Sequence, residues 1–281
     1  MARRQVAYLK SKQIGSNRYF TFQEFRETVG NQSVNNYGGQ MREKKSPYKY
    51  QTGSVYDGEW KGGFRDGRGV QRWPDGAVYE GEWKDNKAYG LGKFTHADGD
   101  AYDGQWANDK ANGFGAYYHT NGSMYRGYWK DDLQHGIGVE TWLDGSSYQG
   151  EYTYGRKHGL GAYQWNDGSR YHGLWHENRI QGIGVYTWLD GRSYEGEWND
   201  NNMDGIGIYK WNDGRSYTGE YIDDKKHGYG IYRWQDGRKY TGYWFLGKQH
   251  GLGIYAVSTE NREKHGLWED GKRVEWFSPE T

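Results

Sequence analysis

Cysteine is absent from the 281 residues. That excludes a disulfide scaffold, a thiolate zinc site and a cysteine nucleophile. No run of 18 apolar residues occurs, so no membrane-spanning helix is expected. The opening Met1-Ala2-Arg3-Arg4-Gln5 leads into no apolar core, which argues against a secretory signal and for the cytosol. Net charge is lacking as well, with 37 basic and 37 acidic side chains. Aliphatic residues are scarce: Leu, Ile, Val and Phe together make up about 13%. So little aliphatic surface signals disorder only when net charge is high and aromatics are few. Here 18% of residues are aromatic, including 15 Trp and 28 Tyr, and 46 are Gly. Large, flat, half-polar rings carry the apolar surface.

Charge balance hides a local asymmetry. Residues 1–50 hold 10 Lys/Arg against 3 Asp/Glu, so a basic arm precedes an acidic body.

The body is periodic. Tyr56-Asp57-Gly58-Glu59-Trp60 opens a unit that recurs at Tyr79, Tyr102, Tyr125, Tyr148, Tyr171, Tyr194, Tyr217 and Tyr240, always 23 residues apart. With each tyrosine as position 0, position 2 is Gly in all nine units. Position 4 is Trp in seven (Trp60, Trp83, Trp106, Trp129, Trp175, Trp198, Trp244) and Tyr in two (Tyr152, Tyr221). Positions 11 and 13 are Gly throughout, beginning with Gly67 and Gly69, and position 17 is Trp in six. Two segments of period-2 patterning separated by turn residues make each unit a strand–turn–strand hairpin. The first strand is expected over positions −2 to 5 and the second over 11 to 17. Fixed periodicity implies stacking of units that cannot fold singly.

Trp73-Pro74-Asp75-Gly76 and its equivalents link the units. Pro suits the first central position of a type I turn, and Gly the left-handed bulge position after it. That favours a three-residue loop over a two-residue Asp-Gly turn. The register follows. Position 15 faces the next tyrosine, the glycine at position 13 faces the next unit's glycine at position 2, and the glycine at position 11 faces the next ring at position 4. These positions share one face, a lattice of rings lying over bare glycine backbone. The other face receives acidic residues at 1 and 3 (Asp57, Glu59, Glu80, Glu82, Glu195, Glu197) and aliphatics at 12 and 14 (Ile137, Val139, Ile183, Val185, Ile206, Ile208). The expected fold is all-β: an elongated, twisted, single-layer antiparallel meander with an irregular N-terminal arm.

Eight copies of Y-x-G-x-[WY]-x6-G-x-G-x3-[W/H], and a ninth that ends in Val257 instead, resemble the MORN (membrane occupation and recognition nexus) repeat. The resemblance divides the chain into an arm (1–47), a degenerate lead-in (48–55), nine repeats (56–262) and a half-repeat cap with tail (263–281). Some MORN arrays are joined to lipid-kinase or SET-type methyltransferase domains. About 55 residues before the array and about 12 after the half-repeat are too few for either, so no enzyme is expected. Free-standing proteins of this family are similar to structural components of motile cilia, in radial-spoke heads and on axonemal doublets. The resemblance implies a scaffold in the cytoskeleton, with axonemal proteins and tubulin as partners. A membrane or phosphoinositide adaptor is the alternative that the family's name implies.

The residues themselves offer no catalytic constellation. His135, His158, His227 and His250 all occupy position 10 of separate units, so they do not converge on one metal. The glutamates at position 3 form a solvated ladder. Gly-x-Gly is never followed by a helix or by Lys-Ser/Thr, so the phosphate-loop reading fails its context. No catalytic residue, metal or cofactor is assigned. Nucleic acid is set aside, because base-stacking platforms sit in basic grooves and the array is acidic. The basic arm is the candidate partner-binding element, through Arg3, Arg4, Lys10 and Lys12 with Phe20, Phe22 and Phe25 as plugs. The alternative is an arm folded back on the acidic repeats. Pairing of two copies through the N-terminal sheet edge is a further expectation.

Overall fold

A computed structural model describes residues 18–29, 41–257 and 262–277. Its strands follow one another as an open antiparallel meander in a single sheet. The chain divides into two compact units, one within residues 8–156 and one within residues 157–281.

In the first unit, β1 (Glu43–Lys44) and β2 (Tyr48–Lys49) both pair with β3 (Val55–Lys61), which pairs with β4 (Phe64–Arg72). Hairpins then continue to Ser147–Thr153. The second unit runs from Arg156–Gln164 to Lys272–Trp276 by the same rule.

The loop between repeats is the three-residue form. Trp73 N donates to Ala77 O at 2.9 Å, Gly76 N donates to Trp73 O at 3.0 Å, and Gly76 takes φ +94°. Across it the register is Gln71↔Tyr79, Gly69↔Gly81 and Gly67↔Trp83. The same pairing recurs in the second unit, as in Tyr186↔Tyr194, Gly184↔Gly196 and Gly182↔Trp198.

Inside each repeat the second strand starts at position 8, three residues before the pattern placed it. A two-residue turn at positions 6 and 7 precedes it, both residues left-handed: Asp85 at φ 51° and Asn86 at φ 68°. Asn and Asp tolerate that conformation, and the turn type matches strand twist. Gly67 then sits at φ +107° and bulges the strand, so pairing jumps from Gly58↔Gly69 to Trp60↔Arg65. The extra residue brings position 9 onto the ring face.

Successive turns are bonded to each other. Asn86 Oδ1 accepts from Arg65 N at 2.7 Å, and Asn86 N donates to Arg65 O at 3.0 Å. The second unit repeats this at Asn178–Lys157, Asn201–Ile180 and Asp224–Met203.

The two sheet edges are built differently. The N-terminal edge consists of two-residue strands with Pro47 and three lysines nearby, which offers a second copy little unpaired ladder. At the other end Asp270-Gly271 is a turn, and Lys272–Trp276 forms a further strand in what was expected to be tail. The arm is not wholly irregular either: α1 (Phe22–Val29) is a helix.

Candidate interaction surfaces

One face of the sheet is closed by rings. Each position-0 tyrosine lies across the two glycines of its own repeat: a Cβ on Gly69 would come within 2.3 Å of Tyr56 Oη, and one on Gly138 within 2.4 Å of Tyr125 Oη. Its hydroxyl donates to the position-3 carbonyl, from Tyr56 to Glu59 O (2.9 Å) through Tyr240 to Tyr243 O (3.0 Å). Burial pushes these phenols well above their usual pKa, Tyr240 to about 12. The position-4 indole crosses repeats. Trp83, Trp106 and Trp129 donate to the preceding repeat's Gly69, Gly92 and Gly115 carbonyls. Trp175, Trp198 and Trp244 do the same to Gly161, Gly184 and Gly230. Each such ring also meets two tyrosines edge-on, as Trp83 does at 5.4 Å from Tyr56 and 5.0 Å from Tyr79. Edge-to-face pairing adds to the burial energy of each ring. Tyr102, Tyr171 and Tyr194 hold equivalent places.

The lattice forms one aromatic box per repeat. Its walls are positions 0 and 15, position 17 of the repeat before and position 4 of the repeat after; position 9 is the floor. In the first repeat Arg65 fills the box, 4.2 Å from the Trp83 ring, and pairs with Glu24 of α1 at 3.3 Å. Both side chains are almost fully buried. Thr52, Ser54 and Gln71 complete Glu24's hydrogen bonds. In the second repeat the floor is only Ala88, and the filling comes from the arm. Phe20 stands 5.4–6.1 Å from Trp73, Tyr79, Phe94 and Trp106. Trp73 Nε1 donates to the Tyr19 carbonyl at 2.9 Å, and Asp75 holds Arg18 (3.0 Å) and the Tyr19 hydroxyl (3.1 Å).

The arm therefore folds back, and two of its proposed plugs are already seated in this chain. Phe20 fills the second box, and Phe25 packs on Phe64 at 5.7 Å. Phe22 remains 64% exposed, stacked on Phe25 with Arg26 above it. Arg3, Arg4, Lys10 and Lys12 lie outside the described residues. The T-x-x-E spacing of Thr21 and Glu24 would suit a capping box, but Glu24 is spent on Arg65, Ser54 and Thr52 instead.

The other face is open. Position 12 carries Leu91, Phe114 and Ile137 in the first unit and Leu160, Ile183, Ile206, Tyr229 and Leu252 in the second, each 42–67% exposed. Position 3 lies opposite, giving pairs such as Phe114↔Tyr128, Leu160↔Leu174 and Ile183↔Glu197. The position-3 acids are more than a solvated ladder, because they cap the amide freed by the bulge. Glu59 accepts from Arg68 N at 2.6 Å, and Glu220 from Tyr229 N at 3.1 Å. In the first unit a shallow groove of about 750 Å³ runs over Asp57, Glu59, Arg68, Glu80, Glu82 and Lys93. Opposite charges face each other in the strand register there, Arg68 across from Glu82 and Glu80 across from Lys93.

Among the described residues no group of three or more His, Asp or Glu is placed to hold a metal ion. The position-10 histidines instead meet neighbouring rings, His135 at 5.2 Å from Tyr154 and His227 at 5.4 Å from Phe245.

The family model of the MORN repeat matches residues 56–78, 79–101, 102–124, 125–147, 148–170, 171–191, 194–214, 217–237 and 240–256. No curated protein sequence matches the chain. Among solved structures, the TCP10 domain of Danio rerio CPAP in complex with a STIL peptide is similar at 12% identity and TM-score 0.44, covering 84% of this chain and 99% of that one. The Drosophila melanogaster SAS-4 TCP domain in complex with a proline-rich motif of Ana2 is similar at 12% identity and TM-score 0.36, over 63% and 90%. Likenesses this distant carry no inference about partners.

Proposed function

The chain belongs to the MORN repeat family, and from that premise we propose that it is a non-catalytic scaffold in a ciliary axonemal assembly, either a radial spoke or a doublet microtubule. Its partners in this reading are axonemal proteins, tubulin among them. The observation that carries the docking role is the row of half-exposed apolar side chains at position 12, repeated through eight successive repeats. Scattered apolar residues on a surface need no explanation, but an apolar side chain at the same exposed position of successive repeats within a unit, framed by polar residues, marks a contact surface. Most of the ring face is consumed in holding the sheet together, so the open face is the larger surface left for display. Detergent extraction of cilia tests the placement. The protein is expected to stay with the insoluble axoneme, and release with the membrane fraction would refute it.

The membrane or phosphoinositide reading ranks second, since it needs free basic side chains. Arg18 and Arg42 are held by Asp75 and Asp66. Salt-sensitive co-sedimentation of the array with phosphoinositide vesicles would reverse the ranking.

A further inference from the structure

The ring face of the second unit carries a feature that holding the sheet together does not require. Positions 15 and 17 alternate there as a rail of rings in tilted and edge-on contact. Tyr186–Trp188 are 4.5 Å apart, Trp188–Tyr209 5.2 Å, Tyr209–Trp211 4.4 Å, Trp211–Tyr232 5.6 Å, Tyr232–Trp234 4.6 Å and Trp234–Tyr255 6.0 Å. The three tryptophans are partly buried, and their indole N–H groups have no acceptor among the described residues. Arg192, Arg215 and Arg238 lie over them at 5.4–5.6 Å, each fixed by an aspartate at 2.7 Å.

We propose that Trp188, Trp211 and Trp234 form a docking rail for a proline-rich partner segment in the polyproline II conformation. The inference rests on the scaffold reading and names a partner class for it.

Spacing is the first support. The rail presents one tryptophan per repeat, and a repeat is two strands, or ~9.6 Å. A polyproline II chain returns to the same face every three residues, ~9.3 Å. An extended strand returns every ~6.7 Å, and seven residues of α-helix, just under two turns, advance ~10.5 Å. The mismatch over two steps is therefore ~0.6 Å for polyproline II and ~1.8 Å for a helix.

Hydrogen bonding is the second. Polyproline II has no internal hydrogen bonds, so its carbonyls are free to accept from indoles, whereas helix carbonyls are already engaged. The first unit shows the contact: Trp73, at the same repeat position, donates to a main-chain carbonyl of the arm, that of Tyr19, at 2.9 Å.

The boxes beneath the rail supply the third. In the second repeat the Ala88 floor leaves room for Phe20 to drop in. Beneath Trp188 the box is filled from below by the buried Met203, and beneath Trp211 by Lys226, whose Nζ lies 4.6–5.5 Å from Trp211, Tyr217, Tyr232 and Trp244; Gln249 holds the floor position beneath Trp234. Among the described residues no long plug enters there, and the occupant we propose lies flat on the rail. Pyrrolidine rings on indoles do so, in the aromatic-groove mode of proline recognition.

The test uses the full chain and synthetic peptides of four and seven prolines, with a seven-residue Gly/Ser peptide as control. Four prolines reach two tryptophans and seven reach three. Saturable binding is expected, about tenfold tighter for the longer run. The indole N–H resonances of Trp188, Trp211 and Trp234 are expected to move downfield, while those of the internally bonded Trp83 and Trp106 stay put. Trp211→Ala should weaken binding by about tenfold or more, and Trp211→Phe, which keeps the ring but loses the donor, by less. No saturable binding, equal affinity for both lengths, or undiminished binding by Trp211→Ala would overturn the proposal. So would binding seen only after deletion of residues 2–17, which would assign the rail to the chain's own leader. None of these outcomes touches axonemal retention, which tests the scaffold reading separately.

Discussion

Asp109 offers a sharp test of the turn ladder. It occupies position 7 of the third repeat, where its Oδ1 accepts from Ala88 N at 2.7 Å. Burial raises its pKa from 3.8 to about 6, the ladder hydrogen bond opposing the shift. A carboxyl held above its unfolded value takes up protons on folding. Its stabilising share is complete below about pH 4 and is lost as pH rises through about 6. At ~1.4 kcal/mol per tenfold change, the loss is about 3 kcal/mol. Asn86, Asn178 and Asn201 make the same bond from the same position without a charge. Asp109→Asn should therefore match the wild type near pH 4 and exceed it by up to about 3 kcal/mol at pH 7. Urea denaturation of both proteins across pH 4–8 measures the difference. A constant offset, or an Asn variant less stable at pH 7, would refute the account of this ladder.

Further outcomes follow from the lattice and its boxes. Gly138→Ala drives a Cβ to 2.4 Å from Tyr125 Oη, while Gly145→Ala meets nothing within 4 Å and strains only a φ of +85°. The first should cost about 3 kcal/mol or more and the second about 1 in chemical denaturation. Phe20→Ala should release the arm to limited proteolysis, losing about 3–5 kcal/mol of docking energy. Ala88→Met, which fills the box as Met203 does, should release the arm equally while the sheet melts no earlier. Burial holds Lys226 down to about 8, so its charged form is penalised at neutral pH. Lys226→Met should be more stable than wild type at pH 7, with the advantage fading as pH rises from about 8 to above 10.

Much of the sheet was readable because its determinants are sequence-local. Tyr, Gly and Trp recur at fixed offsets, and Pro74 distinguishes one loop from the other, so cross-repeat pairs such as Gly69↔Gly81 followed directly. What failed was parity counting past Gly67. A bulge inserts one residue and reverses the face of everything before it, which turned position 9 inward. Nothing uniform marks that position: it is Arg65, Ala88, Ala111, Gln134, Lys157, Ile180, Met203, Lys226 and Gln249. The Asx pairs at positions 6 and 7 were a usable signal for the missed turn, since both residue types favour left-handed backbone. The arm was harder. Its eight-residue helix is too short to show a clear period, and Glu24 is buried only because Arg65, 41 residues away, waits in the first box. The open face was the legible part of the candidate site, because alternation beyond the bulge assigns position 12 outward without ambiguity.

The division of labour between the faces is best tested by placing charge in the apolar row. The triple variant Ile137→Glu, Ile183→Glu, Ile206→Glu changes three side chains that are 63–67% exposed and leaves every ring in place. Its melting temperature and its recovery in the detergent-insoluble axoneme are measured together. The account predicts near wild-type melting with recovery lost. Undiminished recovery of a normally folded variant would contradict it.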